Sequence, residues 1–79
     1  MLCAAEYGVM HMQTQTIGQR IRHLRKENSM TQETLAMYLH VSNRTVSSWE
    51  LDRTKPDYEI VIVISELFAV SLSYLIAGN

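Results

Sequence analysis

Asn43, Arg44, Ser47 and Ser48 lie within six residues of one another, in a segment that also holds Val46 and Trp49. Their chemistry is that of hydrogen-bond recognition: Asn pairs bidentately with adenine, Arg with guanine, and Ser with several partners. The other reactive side chains do not assemble in this way. His11, His23 and His40 do not cluster with Cys3 at metal-ligand spacing, so no metal site is expected. Gly8, Gly18 and Gly78 are isolated and form no phosphate-cradling loop. No sequence context around any Ser or His marks a nucleophile. The chain reads as a non-enzyme that carries no cofactor.

Two short helices must position the polar face. Thr31 caps the first, whose apolar side is Leu35, Ala36 and Leu39. Ser42 caps the second, with Val46 and Trp49 turned inward. The connection between them is only three or four residues long, with Val41 plugging the turn and Ala36 small where the helices pass closely. This spacing turns Asn43, Arg44, Ser47 and Ser48 outward on one face, the geometry by which a helix-turn-helix sets one helix in the major groove.

Further helices flank this pair. Thr16-Ile-Gly-Gln19 has capping-box spacing, and Ile17, Ile21 and Leu24 then recur at helical intervals while the polar run to Lys26 faces out. Asn28-Ser29 ends this helix, Asn being tolerant of the left-handed conformation. Pro56-Asp57 opens a fourth helix and Ser71 a fifth, which ends at Gly78. Tyr58 to Ile64 is rich in β-branched residues, and propensity alone makes it a strand. A helix from Tyr58 to Phe68 instead aligns Val61, Ile64, Leu67 and Phe68, and helix is the expectation. Residues 1–15 show no periodicity and read as a flexible arm, in which Met10 or Met12 also suits a start. The domain is expected over residues 16–79.

With 79 residues there is room for one small domain, and no small-molecule site is evident. One cysteine excludes an internal disulfide and fits a reducing cytoplasm. The longest apolar run, Ile60 to Ile64, is far short of the roughly 20 residues that span a bilayer, so no membrane partner is expected. Net charge is −1, yet all seven basic residues fall between Arg20 and Lys55 against four acids. That local excess of three positive charges makes a basic face available to an otherwise neutral molecule.

The ordered set Ile21, Leu24-Arg25, Thr31-Gln32, Leu35-Ala36, Val41-Ser42, Val46-Ser47-Ser48-Trp49-Glu50, Lys55-Pro56-Asp57, Ile64-Ser65, Leu67-Phe68, Val70-Ser71-Leu72 and Leu75-Ile76 covers about four-fifths of the chain. In this set the chain resembles the phage-repressor/Cro-type helix-turn-helix regulators of the xenobiotic-response-element-like class. The resemblance implies an all-α, compact five-helix repressor-type domain that binds double-stranded DNA as a transcriptional regulator. It implies that Asn43, Arg44, Ser48 and, more weakly, Ser47 face base edges, Arg44 serving equally well on a phosphate. It places Gln32, Thr31, Ser42, Arg53 and Lys55 on phosphates, and pairs Arg25 with Glu50 between the first and third helices.

Two departures stand out: His40 and Asp52 occupy positions where the family often has Gly. Both are among the non-Gly residues that tolerate positive φ. Apolar residues at Val63, Ala69 and Tyr74, with Ile60, replace the usual polar ones and suggest a homodimer interface, hence an inverted-repeat operator. The competing class is an antitoxin-like or adaptor module that uses the same fold to bind protein.

Overall fold

Four of the described helices start on a hydroxyl. In the computed structural model, which describes residues 15–79, the side chains of Thr16, Thr31, Ser42 and Ser71 each accept a hydrogen bond from the backbone N–H three residues on. They open α1 (Ile17–Glu27), α2 (Gln32–Leu39), α3 (Asn43–Glu50) and α5 (Leu72–Ala77). At Thr16 the capping box is complete, since the Gln19 Oε1 accepts from the Thr16 N–H at 2.9 Å. The exception is α4 (Tyr58–Leu67), where Asp57 holds the cap position without a side-chain bond. The expected arm falls almost wholly outside the described residues, as do Cys3, His11 and both upstream candidate starts, Met10 and Met12.

The helix ends repeat one device. Ser29, His40, Asp52 and Ala69 have φ of 55°, 58°, 61° and 56°, and each follows one of the first four helices. The next residue then donates its N–H to the carbonyl five positions back: Met30 to Arg25, Val41 to Ala36, Arg53 to Ser48 and Val70 to Ser65, at 2.9–3.0 Å. This is the Schellman arrangement, which satisfies orphan carbonyls and reverses the chain within two residues. The expected left-handed Asn28 is corrected here, because Asn28 stays at φ −98° and Ser29 takes that conformation. Asn28 instead donates its side-chain amide to the Leu24 carbonyl at 2.7 Å. His40 and Asp52 do adopt positive φ.

The centre of the core takes one fully buried residue from each of the described helices: Ile21, Leu35, Val46, Ile64 and Leu75. Trp49, Leu24, Ala36, Leu39 and Val61 complete it. Each large aliphatic side chain removed from water contributes about 1.5–3 kcal/mol. That gain decides the fate of the β-branched segment. As a helix it sends Val61 and Ile64 inward together, with Ile60, Leu67 and Phe68 packed beside them. No other strand exists among the described residues to pair with it, so tertiary burial overrides propensity. None of the described helices is long and apolar enough to cross a membrane.

The polar run of α1 does not face out uniformly. Arg20 is only 3% exposed. Its Nε donates to the Leu75 carbonyl and its Nη2 to the Ile76 carbonyl, both at 2.9 Å, while Nη1 reaches the Gln15 carbonyl. It thus caps α5, whose last carbonyls have no partner of their own and carry partial negative charge.

Gly18 sets how closely α1 approaches α3. A Cβ there would lie 1.9 Å from the Trp49 carbonyl oxygen and 2.7 Å from Asp52 Oδ1. Helix propensity alone favours Ala over Gly by about 1 kcal/mol, so the two effects oppose each other and the backbone clash wins. Gly18→Ala is expected to destabilise the domain by about 3 kcal/mol, read as a lower urea midpoint in circular dichroism. An unchanged or higher midpoint would show that the helices do not cross this closely.

Candidate nucleic-acid interface

The α2–α3 unit turns on His40, whose left-handed backbone lets the Val41 N–H return to the Ala36 carbonyl at 3.0 Å. Ala36 is 3% exposed against the neighbouring helix and Val41 packs onto the core. From this turn α3 runs with Val46, Trp49 and Glu50 buried. Asn43 and Arg44 stand exposed at its start, and Ser47 and Ser48 are half-buried further along. The four do share a face, though the two serines are less open than their spacing implied.

The orientation of α3 rests on one carboxylate. Arg25 Nε donates to Glu50 Oε2 at 2.7 Å and Arg25 Nη2 to Glu50 Oε1 at 3.0 Å. Gln32 Nε2 donates to the same Oε1 at 3.0 Å. Arg25 Nη1 also holds the Met30 carbonyl at 2.8 Å, at the entrance to α2. Three helices therefore meet at Glu50, which is 7% exposed. Ser47 and the same group line a cleft of about 200 Å³ together with Arg22 and Leu51.

The residues assigned to phosphates divide into two kinds. The Thr31 hydroxyl accepts from Thr34 N–H and gives its own proton to Thr34 Oγ1 at 2.9 Å. The Ser42 hydroxyl likewise caps Thr45 N–H and pairs with Thr45 Oγ1. These hydroxyls work as caps, and what they leave facing outward are the first N–H groups of α2 and α3, which lack intrahelical partners. Gln32 keeps a second amide proton while the first serves Glu50. Arg53 and Lys55 are exposed in the loop after α3.

That loop differs from its counterparts in a telling way. Met30, Val41 and Val70, the residues after the other three left-handed turns, all pack on the core. At the fourth turn the position is Arg53, an exposed cation where an apolar plug stands elsewhere. The basic face is smaller than the sequence count implied, because Arg20 and Arg25 are buried and hydrogen-bonded. Arg22, Lys26, Arg44, Arg53 and Lys55 remain exposed. Of the residues assigned to a dimer, Val63 is 43% exposed, while Ile60 and Tyr74 are half-buried against the core. Ala69 is the exposed left-handed residue that closes α4.

Three contributors were not foreseen: Gly18, Arg20 and Thr54, the last joined to Ser48 through a 2.9 Å hydroxyl pair. A glycine in the first turn of a helix is the only local signal for Gly18. Nothing local marks Arg20 or Thr54, whose partners are set by tertiary crossings.

A helix-turn-helix family profile matches residues 21–75. The chain belongs to the Cro/C1-type helix-turn-helix family. The repressor protein C2 of Salmonella phage P22 is 37% identical to it over 68 residues, which cover 86% of this chain and 32% of that protein. The transcriptional regulator DicA of Escherichia coli K12 is 33% identical over 70 residues, covering 89% of this chain and 52% of DicA. This helix-turn-helix chain thus spans about a third to a half of the length of these relatives. The crystal structure of the P22 c2 repressor in complex with a synthetic operator matches it with a TM-score of 0.77 at 36% identity, over 84% of this chain and all of that one.

The Glu50 network gives a direct test. Arg25→Ala leaves a buried carboxylate held by Gln32 alone, and is expected to cost about 3–5 kcal/mol in chemical denaturation. Arg25→Met combined with Glu50→Leu is expected to cost clearly less than the sum of the two single changes. Strict additivity in that double-mutant cycle would show that the pair is not coupled.

Proposed function

We propose that this chain is a sequence-specific, double-stranded DNA-binding transcriptional regulator that acts in the cytoplasm as a repressor, by occluding its operator. The observation that carries this reading is the exposed Asn43 and Arg44 at the start of a helix locked by Glu50, in a fold that matches a repressor solved on its operator. Asn43, Arg44, Ser47 and Ser48 read base edges in the major groove, where Asn matches adenine and Arg matches guanine. Gln32, the open N–H groups at the starts of α2 and α3 beside Thr31 and Ser42, and the side chains of Arg53 and Lys55 hold phosphates and fix the register. Two copies join through Ile60, Val63 and Tyr74, spacing their reading helices by about 34 Å on an inverted repeat.

Selection from random duplexes, followed by fluorescence anisotropy across a salt series, tests the reading. An inverted repeat is expected to emerge, with log K falling by about 0.9 per neutralised phosphate for each decade of salt. Asn43→Ala and Arg44→Ala are each expected to weaken binding to that operator by about 1–3 kcal/mol. Both side chains are exposed, so the thermal midpoint should hold. Lys55→Ala should weaken all sequences alike and reduce the salt slope by about one. No enrichment of any sequence at low salt would overturn the reading and favour a protein-binding module.

The dimer has its own test. Val63→Glu places a charge in the proposed interface while barely touching the core, since Val63 is 43% exposed. Sedimentation equilibrium should show a monomer, with single half-sites bound as before and the advantage of the full inverted repeat lost. Wild-type protein that stays monomeric at high concentration, with and without DNA, would eliminate the interface.

A further inference from the structure

We propose that Thr54 is a specificity-positioning residue: its hydroxyl fixes which hydrogen bond Ser48 offers to a base, so that Ser48 reads an amino group. The inference rests on the DNA-binding reading above and adds a residue and a base chemistry to it. Ser48 Oγ and Thr54 Oγ1 lie 2.9 Å apart, and either oxygen is able to donate. Each hydroxyl has a single proton. Whichever donates to the other therefore has only acceptor lone pairs left to present.

The pair is placed by a turn that has hydrogen bonds of its own. Thr54 follows the left-handed turn at Asp52, where Asp52 N–H donates to Trp49 O at 3.0 Å and Arg53 N–H to Ser48 O at 2.9 Å. The Asp52 carboxylate also accepts from the Thr16 hydroxyl at 3.0 Å, tying the turn to the start of α1. The turn that leads to Thr54 is thus bonded both to the last turn of α3 and to the start of α1.

The direction of the pair follows from its surroundings. Thr54 stands between Arg53 and Lys55, both exposed and both assigned to the DNA backbone. A phosphate oxygen accepts hydrogen bonds and never donates, so beside a duplex the Thr54 proton turns to the phosphate. Thr54 then accepts from Ser48, whose proton is consumed, and Ser48 faces the groove with lone pairs alone. Those lone pairs match the adenine N6 or cytosine N4 amino group and reject guanine O6 and thymine O4. A phosphate contact, ordinarily silent about sequence, thereby sets the polarity of a base contact.

The experiment uses the full chain and an operator obtained by selection from random duplexes. Ser48→Ala identifies the base pair that Ser48 reads, as the one whose preference collapses. The wild type is expected to depend there on the amino group of the pair, adenine N6 or cytosine N4. Thr54→Val, which keeps the shape and removes the hydroxyl, should cut discrimination at that pair about three- to tenfold, in line with one net hydrogen bond. Other positions should keep their preferences, and Thr54→Ser should restore the wild-type pattern. Where the preferred base is adenine, a purine lacking the N6 amino group at that site should weaken the wild type more than Thr54→Val.

Unchanged wild-type binding when the amino group of that pair is removed would overturn the proposal, as would a Ser48→Ala protein with no altered position. So would a Thr54→Val protein that loses affinity equally on every sequence or retains full discrimination. If the wild type enriches no sequence at all, the DNA-binding reading itself falls, an outcome distinct from these.

Discussion

The Glu50 carboxylate is the point on which the arrangement of the first three helices depends. It receives the fork of Arg25 from α1 and the amide of Gln32 from α2, while it is itself the last residue of α3. Removing two opposite charges from water consumes most of what their attraction returns. The value of the pair therefore lies less in net stability than in the single geometry that a planar guanidinium and a carboxylate accept. An apolar contact in the same place would tolerate rotation of α3 about its own axis. The fork does not, and a small rotation would carry Asn43 and Arg44 away from any surface they were aimed at. Close packing supports the same end, since the absent Cβ of Gly18 brings α1 against the Trp49 carbonyl one residue before Glu50.

The use of the cations follows from this construction. Seven basic residues lie in the central span, and two of them are withdrawn to the interior with their hydrogen-bonding capacity engaged. Arg20 fastens the last helix to the first, and Arg25 fastens the third to the first. The surface field is left to five cations, with Glu27, Glu33 and Asp52 exposed in the same span. So modest a field attracts a polyanion without holding it strongly. Under the proposed reading, affinity for DNA would draw more on backbone N–H groups at helix starts and on directional side-chain bonds than on counterion release alone.

The features legible in the sequence are those decided within one turn of helix. Thr16, Thr31, Ser42 and Ser71 announce helix starts because a cap needs only a hydroxyl and an N–H three residues on. Ile21, Leu35, Val46, Ile64 and Leu75 announce the core through periodicity. Even the β-branched stretch from Tyr58 yields to this logic once a buried stripe is demanded of it. What escaped is decided between elements. Arg20 has the same local pattern as the exposed Arg22, and only the placement of α5 makes it a buried cap. The exception is local: Ser29 rather than Asn28 turns left-handed, and the Asn28 amide bonds the Leu24 carbonyl one turn back. The hydroxyl pair of Ser48 and Thr54 exists only after the Asp52 turn has folded the loop back on α3.

The placement of backbone strain makes a related point about α3. A non-glycine residue in the left-handed region costs roughly 1–2 kcal/mol, and such residues lie just beyond both ends of this helix, at His40 and Asp52. Glycine would relieve the strain at either site, but it would also loosen the joint, since glycine has more conformational freedom to lose. With side chains in place, both joints have fewer alternative conformations to visit. The Asp52 joint gains a further tie through its carboxylate to the Thr16 hydroxyl. The helix is thus clamped before and after, and held in rotation by Glu50. A surface set in place before its partner arrives loses little conformational entropy on binding. The strain is then best understood as the cost of presenting Asn43 and Arg44 in a fixed direction, carried by the fold and not by the encounter.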